Sequence, residues 1–209
     1  PWWACALVMG SAIGCVTDSQ WVTFRETPRN PLAATLNLLD KEGPKPTPRT
    51  EQILRRFDLT TRYRSDAPGV IEQLTQRQAR EPNREVQYAI AEIAYIAARR
   101  AENRRRDEAL SLYGTSLLHA YQYLFGDSAG ETINPYDPQF RGACDLYNQS
   151  LEATLRIVQA DGDLRPGTRR TVETVEHHCA FDVVLYSSGW HDEDVAGFEF
   201  VSDYQVAGL

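Results

Sequence analysis

Apolar residues recur every three or four positions over residues 84–125, and this is the clearest pattern in the chain. Val86, Ala89, Ile90, Ile93, Ala94 and Ala97 share one helical face. After the polar break Asn103 to Arg106, the spacing resumes with Leu110, Tyr113, Leu117, Tyr121 and Leu124. The pattern predicts two long helices joined by a short turn and packed antiparallel, with small alanines allowing close approach. Asp107 and Glu108 near the second start, and Gly126 just past its end, supply cap chemistry. Upstream, Ile53, Leu54 and Phe57 predict a short helix over 50–57, and Asp66-Ala67-Pro68 offers an N-cap and an early proline for another through Ala79. Downstream, Asp137-Pro138 opens a helix with Phe140, Ala143, Cys144, Tyr147, Leu151 and Leu155 on one face, stopped by Asp161-Gly162-Asp163. From Thr171 the period falls towards two, which predicts strands over 171–176, 180–186 and 198–201.

The expected fold is therefore mainly α: a helical bundle followed by a small β region at the carboxyl end. The long hairpin resembles a tetratricopeptide-type pair, but no second copy recurs at a fixed period, so a lone hairpin in a larger helical layer is expected. The chain divides into a signal-like segment (1–15), a Pro-rich lead-in (16–48), a helical domain (49–160) and a β-rich segment (161–209). Within the lead-in only a turn of helix over 32–39 is expected.

Composition narrows the function. Lys+Arg 22 against Asp+Glu 29 gives a net charge of −7, and Lys41 and Lys45 are the only lysines, so nucleic acid is not an expected ligand. An apolar fraction of 42% with 10% aromatics supplies a core and excludes wholesale disorder. The first charged residue is Asp18, and residues 2–14 are apolar or small over the length of a signal-peptide h-region, too short to span a bilayer. The opening on Pro1, with Met9 the only Met, is read as a piece of a longer exported protein of the cell envelope. Ala12-Ile13-Gly14-Cys15 resembles a bacterial lipobox, which implies a lipid on the Cys15 thiol and membrane contact through that anchor. An ordinary h-region or a buried amino-terminal segment with an unmodified Cys is the alternative. In an oxidising compartment Cys144 and Cys179 could pair, the alternative being two free buried thiols.

Three groups of residues hold candidate chemistry. Gly126-Asp127-Ser128-Ala129-Gly130 matches the G-x-S-x-G nucleophile elbow and makes Ser128 a catalytic candidate. The elbow needs a strand before it and a helix after it, whereas here a helix precedes and Glu131 to Pro135 cannot begin one, so a helix-ending loop is expected. His177, His178 and Cys179, with His191, Asp192 and Asp194, carry metal-ligating atoms. On a strand His177 and Cys179 share a face, and His191 or an Asp would have to fold back to complete a site with them. No recognised metal spacing is present, strand-end histidines are the ordinary reading, and no cofactor is expected. Arg99-Arg100 and Arg104-Arg105-Arg106 cluster at the hairpin turn, as solvated helix-end charges or, with a lipid anchor, as a patch for anionic headgroups. Asn148-Gln149-Ser150 is a glycosylation sequon placed mid-helix.

The run Tyr136-Asp137-Pro138-Gln139-Phe140-Arg141-Gly142-Ala143-Cys144-Asp145-Leu146-Tyr147-Asn148 is not explained by helix patterning alone. Together with Tyr123-Leu124-Phe125-Gly126 and Phe200-Val201-Ser202-Asp203-Tyr204-Gln205-Val206-Ala207-Gly208-Leu209, it resembles the amino-terminal accessory region of a bacterial envelope family of α/β-hydrolase-like proteins. Gln139 and Gly142 depart from that family's commoner choices. The resemblance implies a non-catalytic region that packs on or covers a hydrolase core, the family's Ser, His and acid lying beyond Leu209. A tetratricopeptide-like module, its groove lined by Tyr88, Tyr95, Tyr113 and Tyr121 for a protein partner of unknown identity, is the competing reading. A serine esterase using Ser128 is the third.

Overall fold

Three side-chain caps set where the main helices begin. Asp66 accepts from the Gly69 N–H at 2.9 Å, Asn83 Oδ1 accepts from the Glu85 and Val86 amides at 2.8 and 3.1 Å, and Asp137 Oδ1 accepts from the Gln139 amide at 2.9 Å. Each satisfies donors that a first helical turn otherwise leaves open. The computed structural model describes residues 31–37, 44–126, 134–176, 179–186 and 189–200. In chain order these form α1 (Leu32–Thr35), α2 (Pro48–Arg56), α3 (Thr60–Ser65), α4 (Ala67–Arg80), α5 (Arg84–Ala101), α6 (Arg106–Phe125) and α7 (Pro138–Ala160). The strands β1 (Arg169–Glu173) and β2 (Ala180–Val184) and the helix α8 (Asp192–Ala196) follow. The protein is mainly helical, with one small antiparallel sheet near its carboxyl end.

The long helices α5, α6 and α7 run up, down and up. Arg84, in the first turn of α5, donates to the Tyr123 carbonyl in the last turn of α6 at 2.9 Å. Arg106, at the start of α6, donates to the Ile157 carbonyl of α7 at 3.2 Å and pairs with Asp161 at 3.1 Å. The Tyr123 carbonyl, left open by the end of α6, is thus filled from α5, and the Ile157 carbonyl, already bonded by the Asp161 N–H, takes a second donor from α6.

Helix α5 is enclosed, packing against α6, α7, α4 and α2. Every residue from Val86 to Ala98 is buried, polar ones included. Its alanines let α6 and α7 approach, and Ser150 meets Ser116 hydroxyl to hydroxyl at 2.9 Å between α6 and α7. Gly142 of α7 serves the same end, because a Cβ there would overlap the Tyr88 hydroxyl. The sheet lies on α6 over Gly114, where a Cβ would come within 2.9 Å of Val172. Leu32 and Leu36 from the lead-in, and Leu164, Val172 and Val195 from the carboxyl segment, join the same apolar core as the bundle.

Several local expectations are corrected. Helix α3 has one buried residue, Tyr63, and so little periodic signal; it forms where the Leu59 and Tyr63 side chains enter the core. The strand expected over 171–176 starts earlier and ends at Glu173, because Thr174 turns and both its N–H and its hydroxyl bond the Cys179 carbonyl. No strand forms over 198–200. Phe198 instead packs edge-on against Trp190, and the Gln159 carboxamide donates to the Val195 and Phe198 carbonyls, closing the short helix α8 that the strand pattern hid.

Candidate functional site

Burying α5 on all sides forces its polar residues to find partners inside the protein, since an unpaired buried donor or charge costs several kcal/mol, on the order of 1–3 for a neutral group. Glu92 is fully buried. Its Oε1 accepts the Thr47 N–H at 2.5 Å and its Oε2 the Thr47 hydroxyl at 2.9 Å, with Thr50 and Tyr88 also on the carboxyl group. Thr47 makes no cap of its own for α2, so a carboxylate from α5 sits at that helix start, where the dipole favours it. Burial still dominates and pushes the Glu92 carboxyl up to about 7, against the pull of those hydrogen bonds.

A second buried chain runs from α6 to the hairpin. His119 Nδ1 lies 2.8 Å from Gln87 Nε2 and its Nε2 lies 2.9 Å from Glu176 Oε1. The Gln87 amide also donates to Gln122 Oε1, so both its hydrogens are in use. That orientation makes Nδ1 the acceptor and Nε2–H the donor to Glu176 in the neutral ring. Thr75 Oγ1 donates to the same Glu176 oxygen at 3.2 Å. Burial works to raise the Glu176 carboxyl, but the hydrogen bond from His119, with a further one from Thr174, outweighs it and holds the group at about 2. A His–carboxylate pair is half of a hydrolytic triad, yet here the nitrogen that would activate a nucleophile is occupied by Gln87.

The third cluster ties the far end of the bundle. Tyr113 donates to Glu102 Oε2 at 2.6 Å, Arg156 reaches Glu102 Oε1 at 2.7 Å, and Arg99 approaches Glu102 at 3.2 Å. Although burial opposes it, the bonds from Tyr113 and Arg156 keep the Glu102 carboxyl below its ordinary range. The arginine run at the hairpin turn is largely neutralised: Arg105 pairs with Glu108, Arg106 with Asp161, and Arg100 donates to the Pro44 carbonyl over the Tyr63 ring.

The residues singled out from sequence separate. Ser128, Cys15, His177 and His178 lie outside the described residues. Cys144 and Cys179 are both free thiols, the first half-buried on α7 and the second exposed at the hairpin turn. Burial and the neighbouring Asp145 push the Cys144 thiol up, the opposite of what a reactive thiolate needs. His191 and Asp194 meet as a helix start, the His191 N–H donating to Asp194 Oδ2 at 2.9 Å. Among the described residues no group of three or more His, Cys, Asp or Glu side chains is placed to hold a metal ion. The sequon falls inside α7, with Ser150 buried. Tyr88, Tyr95 and Tyr113 do not line a groove: all three are buried in the core, Tyr88 against Tyr123 and Tyr95 against Tyr113, and only Tyr121 reaches solvent.

No family model matches the chain, and no curated protein or solved structure matches it. Among the described residues no helix is long and apolar enough to cross a membrane.

Proposed function

We propose that this chain is a non-catalytic helical scaffold of an exported α/β-hydrolase-like protein of the cell envelope, and that it packs on or covers a hydrolase core encoded in the same polypeptide. The observation that carries this reading is an exposed aromatic cluster. Phe125, from the Tyr123 to Gly126 stretch, and Tyr147, from the Tyr136 to Asn148 run, lie 6.4 Å apart, with Tyr121 at 5.0 Å from Phe125. Tyr121 and Phe125 are about half and two-thirds exposed, at 51% and 65%. Two sequence stretches that carry the hydrolase-like resemblance thus converge on one solvent-facing apolar surface, of the kind that marks a contact with another domain. The ionisable groups inside the bundle support the same reading, being consumed by bonds between the chain's own elements.

Reading the gene beyond residue 209 tests this directly. A strand, a G-x-S-x-G turn and a helix in succession are the expected finding, and further helical repeats in their place would favour a repeat-type binding module. A fluorophosphonate probe applied to residues 1–209 is expected to leave Ser128 unlabelled; labelling there would replace the scaffold with an esterase. In the full-length protein, Phe125→Ser is expected to loosen the core from the bundle, seen as a separate thermal transition, while the helical signal of the bundle persists.

A further inference from the structure

Away from the buried networks, the end of α4 and the start of α5 enclose a cleft of about 330 Å³ lined by Arg56, Phe57, Arg77, Arg80, Glu81 and Asn83. That volume is within the range of small-ligand sites. Its charge is unusual for a protein whose net charge is −7. Three guanidinium groups face it against a single lining carboxylate, Glu81, and among the described residues none of the three forms an ion pair. The other clustered arginines of the bundle mostly have carboxylate or carbonyl partners.

Phe57 organises two of the charges. The Arg77 guanidinium carbon lies 4.6 Å and that of Arg56 5.5 Å from the ring centroid. Stacking fixes the plane of a guanidinium through its face and leaves its N–H edge free, which is the geometry that binds an oxyanion through paired hydrogen bonds. Arginine near a helix end ordinarily answers the negative end of its own dipole, and Arg77 and Arg80 do lie in the last turn of α4 and Arg56 in that of α2. That role needs one solvated cation. It does not call for three on one concave surface with an aromatic side chain holding two of them.

We propose that this cleft is a binding site for a phosphate-type oxyanion, with the Arg77 and Arg56 edges and Arg80 as donors and Phe57 as the residue that positions them. A soluble phosphate ester and a phospholipid headgroup carry the same group. Calorimetric titration of the whole chain with inorganic phosphate at low salt tests the site. Binding that weakens on the order of tenfold in Arg77→Gln and in Arg56→Gln is expected from losing charge-assisted hydrogen bonds. Phe57→Leu, which keeps all three charges, is expected to weaken it a few-fold. Arg104→Gln, an exposed arginine past the opposite end of α5, is expected to change nothing. No binding of phosphate, or an equal loss in Arg104→Gln, would overturn the proposal. Co-sedimentation with phosphatidylcholine vesicles with and without phosphatidic acid separates the sources. Pelleting that needs both phosphatidic acid and Arg77 assigns a headgroup, and phosphate binding without pelleting assigns a soluble ester.

Discussion

Glu92→Gln should make the protein more stable at pH 8 while leaving it nearly unchanged at pH 4. In the folded state the Glu92 carboxyl ionises at about 7, against an ordinary value of 4.5. Between those two values the folded state holds a proton that the unfolded chain has released, so stability falls as pH rises through that window. The difference in proton affinity corresponds to roughly 3 kcal/mol of stability, present in full below pH 4.5 and lost above pH 7. Glutamine resembles the protonated form. Its oxygen can keep the Thr47 N–H bond, and its amide can donate to the hydroxyls that surround the present Oε2. Urea unfolding followed by circular dichroism, from pH 4 to 8, gives the comparison. The wild-type midpoint is expected to drop across the window more steeply than that of the variant, the gap approaching a few kcal/mol after other groups cancel. Parallel curves for the two proteins would refute the assignment of a buried, destabilised carboxylate. Glu92→Ala controls for polarity, because it strands the Thr47 amide and empties the site, and is expected to destabilise at every pH.

Glu176 acts in the opposite sense: held at about 2 beside His119, it contributes stability above its ordinary 4.5 that is lost as pH falls towards 2, on the order of a few kcal/mol. Glu176→Gln is therefore expected to flatten the acid limb of the stability curve and lower stability at pH 7, as read by the same urea series. Gly142→Ala forces a Cβ into the Tyr88 hydroxyl, which is itself tied to Glu92, and an expected loss of about 1–3 kcal/mol should appear as a lower thermal midpoint. Tyr113→Phe removes the 2.6 Å bond to Glu102 while keeping the ring, and should cost about 1–2 kcal/mol by thermal or urea unfolding.

The bundle was legible because its signals are local. The three-to-four spacing of Val86 to Leu124 and the cap at Asp137-Pro138 appear in the structure as α5, α6 and α7, within a few residues at their ends. What escaped depends on tertiary neighbours. Periodicity assumes that a helix has a polar face, and α5 has none between Val86 and Ala98, so the three-to-four spacing does not mark Gln87 and Glu92 as the interior residues they are. His119 was unremarked for the same reason: its importance comes from Glu176, 57 positions away. The one available clue was a charged residue flanked by apolar ones, Ala91-Glu92-Ile93, within a run otherwise rich in alanine and isoleucine. The alternation at Phe198-Glu199-Phe200 suggested a strand, but among the described residues no strand pairs with 198–200, and Phe198 packs against Trp190. The arginine cleft was invisible as a unit because Arg56, Arg77 and Arg80 come from two helices separated by α3.

Arg84 and Arg106 each fasten the final turn of a helix other than their own. Such terminal turns ordinarily fray first, opening and reclosing without disturbing the rest of a fold. Here, unwinding the end of α6 releases a side chain rooted in α5, and unwinding the end of α7 releases one rooted in α6. Partial melting from the ends is discouraged, and the bundle should be lost in a single cooperative step.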